Sequence, residues 1–247
     1  MKKNIPAFLL SFLLLIAWQC IAMGIDAAYI LPSPLQILSK LWQLREILFF
    51  VHLPATMGVT FLGLLISVVL GLFLAIIMDV SPKIENALYP FIVASQTIPT
   101  TAIAPLFVLW FGYSIWSKVL VTILITFFPI TITVYDGFKA TKREMQELLI
   151  TYGATKKEIF IKLKLPTALP AFFSAIKMAI PLSIIGAAIA EWLGAQSGLG
   201  YFSKRMMTQL DGAGVFAPIV LLSIVAMIAV AIVNIIEKKF ITWREEI

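Results

Sequence analysis

Charged and chemically reactive side chains are scarce in this sequence. Only 13% of the 247 residues are Asp, Glu, Lys or Arg, whereas 61% are hydrophobic. The one cysteine, Cys20, can form no disulfide within the chain, and His52, the one histidine, has no second histidine or cysteine pair with which to bind a metal. The composition excludes an ordinary soluble domain and predicts an integral membrane protein.

Sequence motifs for hydrolytic chemistry are also missing. There is no G-x-x-x-x-G-K-[ST] phosphate-binding loop, so we do not expect this chain to hydrolyse ATP. A Ser–His–acid triad is excluded because His52 stands alone. Carboxylates are nearly absent from the interiors of the apolar segments, which argues against a proton- or sodium-coupled carrier. We expect no catalytic residue, cofactor or metal site in this chain.

The apolar residues fall into six stretches, each close to the length of about 20 residues that a membrane helix needs. Residues 29–53 contain Pro32 and Pro34 and an amphipathic stretch, which we expect to lie along the outer surface rather than to form a continuous helix. Residues 79–89 read as a short polar turn. The sequence therefore predicts one all-α transmembrane domain over residues 1–247, with spans at 1–24, 57–78, 91–111, 115–135, 171–192 and 215–236.

The positions of the positive charges predict the orientation of these spans. If both termini are cytoplasmic, most of the 19 lysines and arginines lie inside. The net charge of +6 then reflects membrane topology, and no nucleic-acid partner is expected. The exceptions on the outside are Lys40, Arg45, Lys118, Lys204 and Arg205.

Small residues recur along one face of two spans, and such rows allow close helix packing in lipid. The second span carries Gly63, Ser67, Gly71 and Ala75. The fifth carries two rows, so we expect it to pack on two sides. These rows are Ala175, Ala179, Ser183 and Ala187, and Gly186, Ala190 and Gly194.

The third span is interrupted by hydroxyl groups and prolines. Two interpretations stay open: a kinked helix whose hydroxyls bond their own backbone, or side chains that offer hydrogen bonds to a passing solute. The candidate passage residues are Ser95, Gln96, Thr97, Pro99 and Thr100, with Ser183 of the fifth span.

A polar island at residues 147–166 lies between two hydrophobic spans. Its apolar residues recur three or four apart on either side of Gly153, which predicts two short helices joined by a glycine turn. We expect Pro166 to end the second helix. Such a helix pair suits a groove on a soluble partner, and an interfacial loop resting on lipid headgroups is the alternative.

The island resembles the cytoplasmic EAA loop of ABC importer permeases. Glu147, Gly153 and the Leu165-Pro166 pair match the pattern, whereas Leu148 and Leu149 replace its two alanines. The resemblance implies that this loop couples the permease to an ATPase, with Gly153 allowing the turn and Glu147 orienting the first helix. The residues implied in coupling are Glu147, Gly153, Ala154, Phe160, Leu163, Leu165 and Pro166.

Further motifs extend this resemblance over most of the chain. Residues 31–34, Ile98-Pro99, residues 104–112 and the segment 191–201 are similar to the permease subfamily that serves sulfonates, taurine, nitrate and hydroxymethylpyrimidine precursors of thiamine. The family implies a type I importer fold with cytoplasmic termini in the bacterial inner membrane. It also implies a permease homodimer, two cytoplasmic ATPase subunits that bind ATP and Mg, and an extracytoplasmic solute-binding protein.

The outer segment after the fifth span is a candidate outer gate or binding-protein contact, and a plain glycine-rich turn is the alternative. Its candidate residues are Glu191, Trp192, Gly194, Gly198 and Gly200. The presumed passage has no Lys or Arg at mid-depth, which favours a neutral ring compound such as a thiamine-precursor pyrimidine over a sulfonate, taurine or nitrate anion. An ion-coupled secondary transporter and a structural or sensor protein are the alternatives from other classes.

Overall fold

The computed structural model describes residues 5–25 and 27–242, and Lys2, Lys3 and the end of the C-terminal tail lie outside them. Twelve helical segments follow one another along these residues. They are α1 (Ile5–Ile25), α2 (Pro34–Gln43), α3 (Arg45–Ile47), α4 (Leu53–Val80), α5 (Pro82–Ser95), α6 (Thr100–Phe111), α7 (Ile115–Lys139), α8 (Arg143–Thr151), α9 (Lys156–Ile159), α10 (Leu165–Gly194), α11 (Leu199–Thr208) and α12 (Gly212–Phe240).

Two π-helical turns join neighbouring helices without an intervening loop. Leu48–His52 connects α3 to α4, and Phe160–Lys164 connects α9 to α10. The resulting continuous helices, Arg45–Val80 and Lys156–Gly194, are longer than the second and fifth spans expected from sequence. In the described residues, five helices are long and apolar enough to cross a membrane, and the bent pair α5–α6 brings the total to at most six.

The small-residue row on α4 forms a close contact with α7. Gly63, Ser67, Gly71 and Ala75 are all buried, and Ser67 Oγ lies 2.5 Å from Thr126 Oγ1 of α7. A Cβ on Gly63 would lie 2.5 Å from Thr122 Cγ2, so only glycine allows this approach. The prediction that these residues mediate helix packing is confirmed.

Helix α10 lies at the centre of the bundle. It packs against α4, α6, α7, α11 and α12. Its two small-residue rows are buried, and a Cβ on Gly186 would meet the Thr122 backbone of α7, while one on Gly194 would meet Val108 of α6. Ala175 and Ala179 of the other row lie in a buried cluster with Ala75 and Met78 of α4. Because one row meets α4 and the other meets α6 and α7, the expectation that this span packs on two sides is confirmed.

Two prolines expected to interrupt helices instead lie in their first turns. Pro34 is the first residue of α2, where Ser33 caps the helix and Gln36 completes a capping box. Pro166 lies in the first turn of α10, after the π turn, so the expectation that it ends the second coupling helix is wrong. Pro34 is tolerated because its missing N–H has no partner to lose in the first turn of a helix, whereas Pro166 lies within a continuous helix whose π turn ends just before it.

The region between α4 and α6 also differs from expectation. Residues 79–89 are not a turn: α4 continues to Val80, Ser81 is extended, and α5 begins at Pro82. The expected third span consists of α5 and α6, which meet at an angle of 93° around residues 96–99. Pro99 caps α6 from an extended backbone, which explains why the break falls there.

Candidate functional site

The predicted coupling loop forms a helical hairpin, here called the coupling segment (residues 143–164). Helix α8 ends in a Schellman motif, in which the N–H groups of Gly153 and Ala154 donate to the Ile150 and Leu149 carbonyls at 2.9 and 3.0 Å. Gly153 has a φ of +81°, a left-handed conformation that L side chains rarely adopt. The predicted glycine turn is therefore confirmed.

The second arm of the hairpin begins with a capping box. Thr155 Oγ1 accepts from the Glu158 N–H at 3.3 Å, and Glu158 Oε2 accepts from the Thr155 N–H at 2.9 Å. On the first arm, Arg143 Nε and Glu147 Oε1 are 2.8 Å apart, and both side chains are largely exposed. This pair lies within one helix face, so it stabilises α8 only weakly and leaves Glu147 accessible.

The coupling segment exposes some apolar side chains and uses others to pack against the bundle. Leu148, Ile150 and Tyr152 are 49%, 59% and 81% exposed around the turn. We call these three residues the exposed patch. Such side chains on a charged hairpin form a surface that suits a groove in another protein.

The predicted coupling residues of the second arm lie on the other side of the hairpin. Phe160 is half-buried, with its ring 5.4 Å from that of Phe138 on α7, and Leu163 is half-buried as well. Leu165 remains 43% exposed. Phe160 therefore attaches the second arm of the hairpin to the bundle. Ile150 was missed as a surface residue because it lies off the three-to-four spacing of Leu148 and Tyr152.

At the opposite end of α10, a buried polar network surrounds Glu191, which is 1% exposed. Its Oε2 accepts from Thr56 Oγ1 at 3.1 Å and from the Gly200 N–H at 2.8 Å. Thr56 Oγ1 accepts in turn from the Leu199 N–H at 2.8 Å, and His52 Nδ1 accepts from the Gly198 N–H at 3.1 Å. Side chains from α4, α10 and the π turn before α4 thus hold the first N–H groups of α11.

The glycines of this network are required by its geometry. Gly198 has a φ of +121°, and a Cβ there would overlap the Glu191 carboxylate. A Cβ on Gly200 would lie 2.5 Å from the Ala188 carbonyl oxygen. The segment is therefore a short, tightly packed connection rather than a long glycine-rich turn. Glu191 and Trp192 belong to α10, which continues to Gly194.

A cavity of about 300 Å³ opens beside this network. It is lined by aromatic side chains, by the basic residues Lys204 and Arg205, and by the end of α10. Trp192 is 41% exposed here, and Lys204 Nζ donates to its carbonyl oxygen at 2.6 Å. Of the residues predicted for an outer gate or binding-protein contact, Trp192 reaches the surface, whereas Glu191, Gly194, Gly198 and Gly200 are buried beneath it.

The candidate passage residues are not all brought together by one chain. Gln96, Thr97 and Pro99 are exposed at the bend between α5 and α6. Ser95 Oγ and Thr97 Oγ1 donate to the Ile92 and Ala94 carbonyls, as the kinked-helix interpretation expects. Ser183 is fully buried, and its hydroxyl donates to the Ile180 carbonyl. Thr100 is half-buried at the start of α6.

A family model for binding-protein-dependent transport system inner membrane components matches residues 67–242. The chain belongs to this family. An amino acid ABC transporter solved with histidines superposes with a TM-score of 0.62 over 79% of this chain and 94% of that one, at 18% identity, which shows a shared fold.

Several named relatives extend over nearly the whole chain. The formylaminopyrimidine transport permease protein ThiX of Halalkalibacterium halodurans is 50% identical over 249 residues, 100% of both chains. The riboflavin transport system permease protein RibX of Chloroflexus aurantiacus is 31% identical, covering 94% of this chain and 87% of that one. The taurine transport system permease protein TauC of Escherichia coli is 25% identical, covering 96% and 89%.

These similarities confirm the resemblance to ABC importer permeases. The permease is a component of an importer that works with an ATPase and a binding protein, and it lies in the bacterial inner membrane. Its relatives are named as transport permeases rather than enzymes, as expected from the sequence.

Proposed function

We propose that this permease imports a neutral aminopyrimidine of the thiamine-precursor type. The observation that carries the proposal is the 50% identity over the whole length of a formylaminopyrimidine transport permease. Another relative is named as a riboflavin transport permease, and riboflavin is also a ring compound. The outer cavity of about 300 Å³ lies at the lower end of the range for small-molecule sites.

The ion pairing within the bundle also favours a neutral solute over an anion. Lys177, which lies within α10, is paired with Glu237 of α12 at 2.8 Å. A lysine already neutralised by a carboxylate is a poor partner for a sulfonate or nitrate. An aliphatic sulfonate, taurine or nitrate remains the second candidate because Lys204 and Arg205 line the cavity and because the taurine permease aligns over 96% of the chain.

For the mechanism, we infer that the exposed patch docks into a groove of the ATPase subunit, which binds ATP and Mg. The exposure of Leu148, Ile150 and Tyr152 supports this docking. Gly153 fixes the reversal between the two arms, and the attachment of Phe160 to Phe138 carries movement of the hairpin into α7. ATP-driven closure of two ATPase subunits then opens the outer mouth by alternating access.

A homodimer supplies the second wall of the passage in this proposal. Phe91, Leu109 and Trp110 of the bent pair are 76%, 78% and 63% exposed. The polar residues Gln96 and Thr97 are exposed at the bend itself. Two copies facing each other at α5–α6 would bury the apolar side chains and leave the polar bend beside the passage.

Uptake in proteoliposomes tests the proposed solute. The permease is reconstituted with its ATPase and binding protein, and radiolabelled formylaminopyrimidine, taurine and nitrate are supplied in separate reactions. We expect ATP-dependent accumulation of formylaminopyrimidine alone. Accumulation of taurine or nitrate instead would select the second candidate, and uptake without the ATPase under an ion gradient would contradict the importer mechanism.

A further inference from the structure

A partly buried ion pair connects the coupling segment to α4. Lys164 is the last residue of the π turn before α10, and Asp79 lies in the last turn of α4. Lys164 Nζ is 2.8 and 2.9 Å from the two carboxylate oxygens of Asp79. The two side chains are 19% and 5% exposed. Eighty-five positions separate them in sequence, so the pair is a tertiary contact.

This pair is better shielded from water than the other ion pairs on the same side of the bundle. The side chains of Lys139 and Glu85 are 51% and 26% exposed, and those of Arg143 and Glu147 are 88% and 60% exposed. Charges attract more strongly where water is excluded, and removing one partner there leaves the other charge buried and unpaired. The link between Lys164 and Asp79 therefore resists separation more than an exposed pair does.

The position of Lys164 gives the ion pair a mechanical consequence. The turn Phe160–Lys164 interrupts the regular α-helical hydrogen bonding between the hairpin and α10. Helices bend readily at such a widened turn, so a force on the hairpin would bend the helix there before it moved α10. Because Asp79 holds the end of this turn, it fixes the turn against α4.

Helix α4 is well placed to pass this force on. It packs on α7 through the close contacts of Gly63 and Gly71, which leave no space for sliding. We infer that Lys164 and Asp79 form a positioning pair, which transmits movement of the coupling segment to α4 during the transport cycle. The inference rests on the proposed function, since it assumes that an ATPase moves the hairpin.

Transport per ATP in the reconstituted complex tests this inference. The variants are Asp79→Asn, Lys164→Met, and the double variant that exchanges the two charges. Glu85→Gln is the matched control because it removes an equally short but more exposed pair between two other helices. We expect Asp79→Asn and Lys164→Met to assemble and hydrolyse ATP, while formylaminopyrimidine transported per ATP falls about tenfold, within the range for coupled contacting residues.

The control and the charge exchange separate coupling from local damage. Glu85→Gln should keep the transport ratio within about twofold of the wild type, and the charge exchange should restore at least about half of it. If Asp79→Asn behaves like Glu85→Gln, the inference is overturned. It is also overturned if the exchanged pair assembles and hydrolyses ATP but transports as poorly as the single variants.

A distance measurement gives a readout that does not depend on the solute. With Cys20→Ser as background, spin labels replace the exposed residues Val80 and Ile161, on either side of the ion pair. EPR spectra are compared with and without ATP and vanadate. In the wild type, we expect the same narrow distance between the two labels with and without ATP and vanadate. In Asp79→Asn, we expect this distance to change when ATP and vanadate are added. Equal behaviour of the two proteins would refute the inference even where formylaminopyrimidine proves to be the wrong solute.

Discussion

A substitution at Gly153 tests the coupling segment through the backbone conformation of its turn. A Cβ at this position would meet no atom within 4 Å, so an alanine there introduces no clash within the chain. The φ of +81° is nevertheless unfavourable for an L residue. The left-handed conformation costs an L residue about 1–2 kcal/mol. The equilibrium constant between the turn and extended alternatives therefore falls roughly tenfold.

We therefore expect Gly153→Ala to reach the membrane normally but to bind the ATPase about tenfold more weakly. Gly153→Asn should bind nearly as well as the wild type, because Asn adopts the left-handed region more readily. Gly58→Ala is the matched control: a Cβ at Gly58 also meets nothing within 4 Å, but its φ is not positive.

The assay is the affinity of the purified permease in nanodiscs for its ATPase, measured by biolayer interferometry. The decisive comparison is between the two alanine variants, which add the same side chain to open space. Should Gly153→Ala and Gly58→Ala bind with equal affinity, the turn is not needed for docking and the assignment of the exposed patch loses its support. Equal weakening by Asn and Ala would point to the loss of glycine flexibility instead.

Three further predictions concern stability, and thermal unfolding of the purified protein measures each of them. Gly63→Ala should lower stability by about 1–3 kcal/mol, because the added carbon would lie 2.5 Å from a side chain of α7; a value near zero would contradict the close packing. Gly198→Ala should cost at least about 2 kcal/mol, since it combines a left-handed backbone with overlap of the Glu191 carboxylate; Gly112→Ala, with φ +64° and no nearby atom, isolates the backbone part. Burial raises the pKa of the Asp211 carboxyl, but hydrogen bonds from Lys40 and the Gly214 N–H outweigh it, so its pKa lies below the ordinary 3.8. The resulting stability is complete above that value and is lost as the pH falls, so Asp211→Asn should reduce the difference in melting temperature between about pH 5 and about pH 3.

The sequence predicted the helical class, most of the spans and the packing rows because these depend on composition and spacing. A run of apolar residues must be helical in lipid, and a row such as Gly63 and Gly71 must face a neighbour. Span ends were less predictable. A proline is compatible with the end of a helix, with its start and with a π turn inside it; Pro34 starts α2, whereas Pro166 follows the π turn of a continuous helix.

The contacts made by polar residues were not predictable, because their partners are distant in sequence. Glu191 reads as a surface residue of a glycine-rich loop until Thr56 and the α11 backbone are placed beside it. In the same way, nothing near Lys164 in the sequence indicates Asp79. A single sequence gives the period of a helix face, but it does not say which face of another helix lies opposite.

The two ends of α10 are held by contacts of different kinds. At its C-terminal end, Glu191 is bonded to neutral donors of α4 and α11, so movement there breaks several directional hydrogen bonds at once. At the N-terminal end, Lys164 is held by one charge pair, which keeps its attraction over a small rotation of the side chains. A hydrogen-bonded network gives way only when several bonds break together, whereas the ion pair keeps Lys164 attached to Asp79 as the two charges turn. The structure thus places a charged link beside the hairpin that we propose docks on the ATPase, and a network of neutral donors at the opposite end.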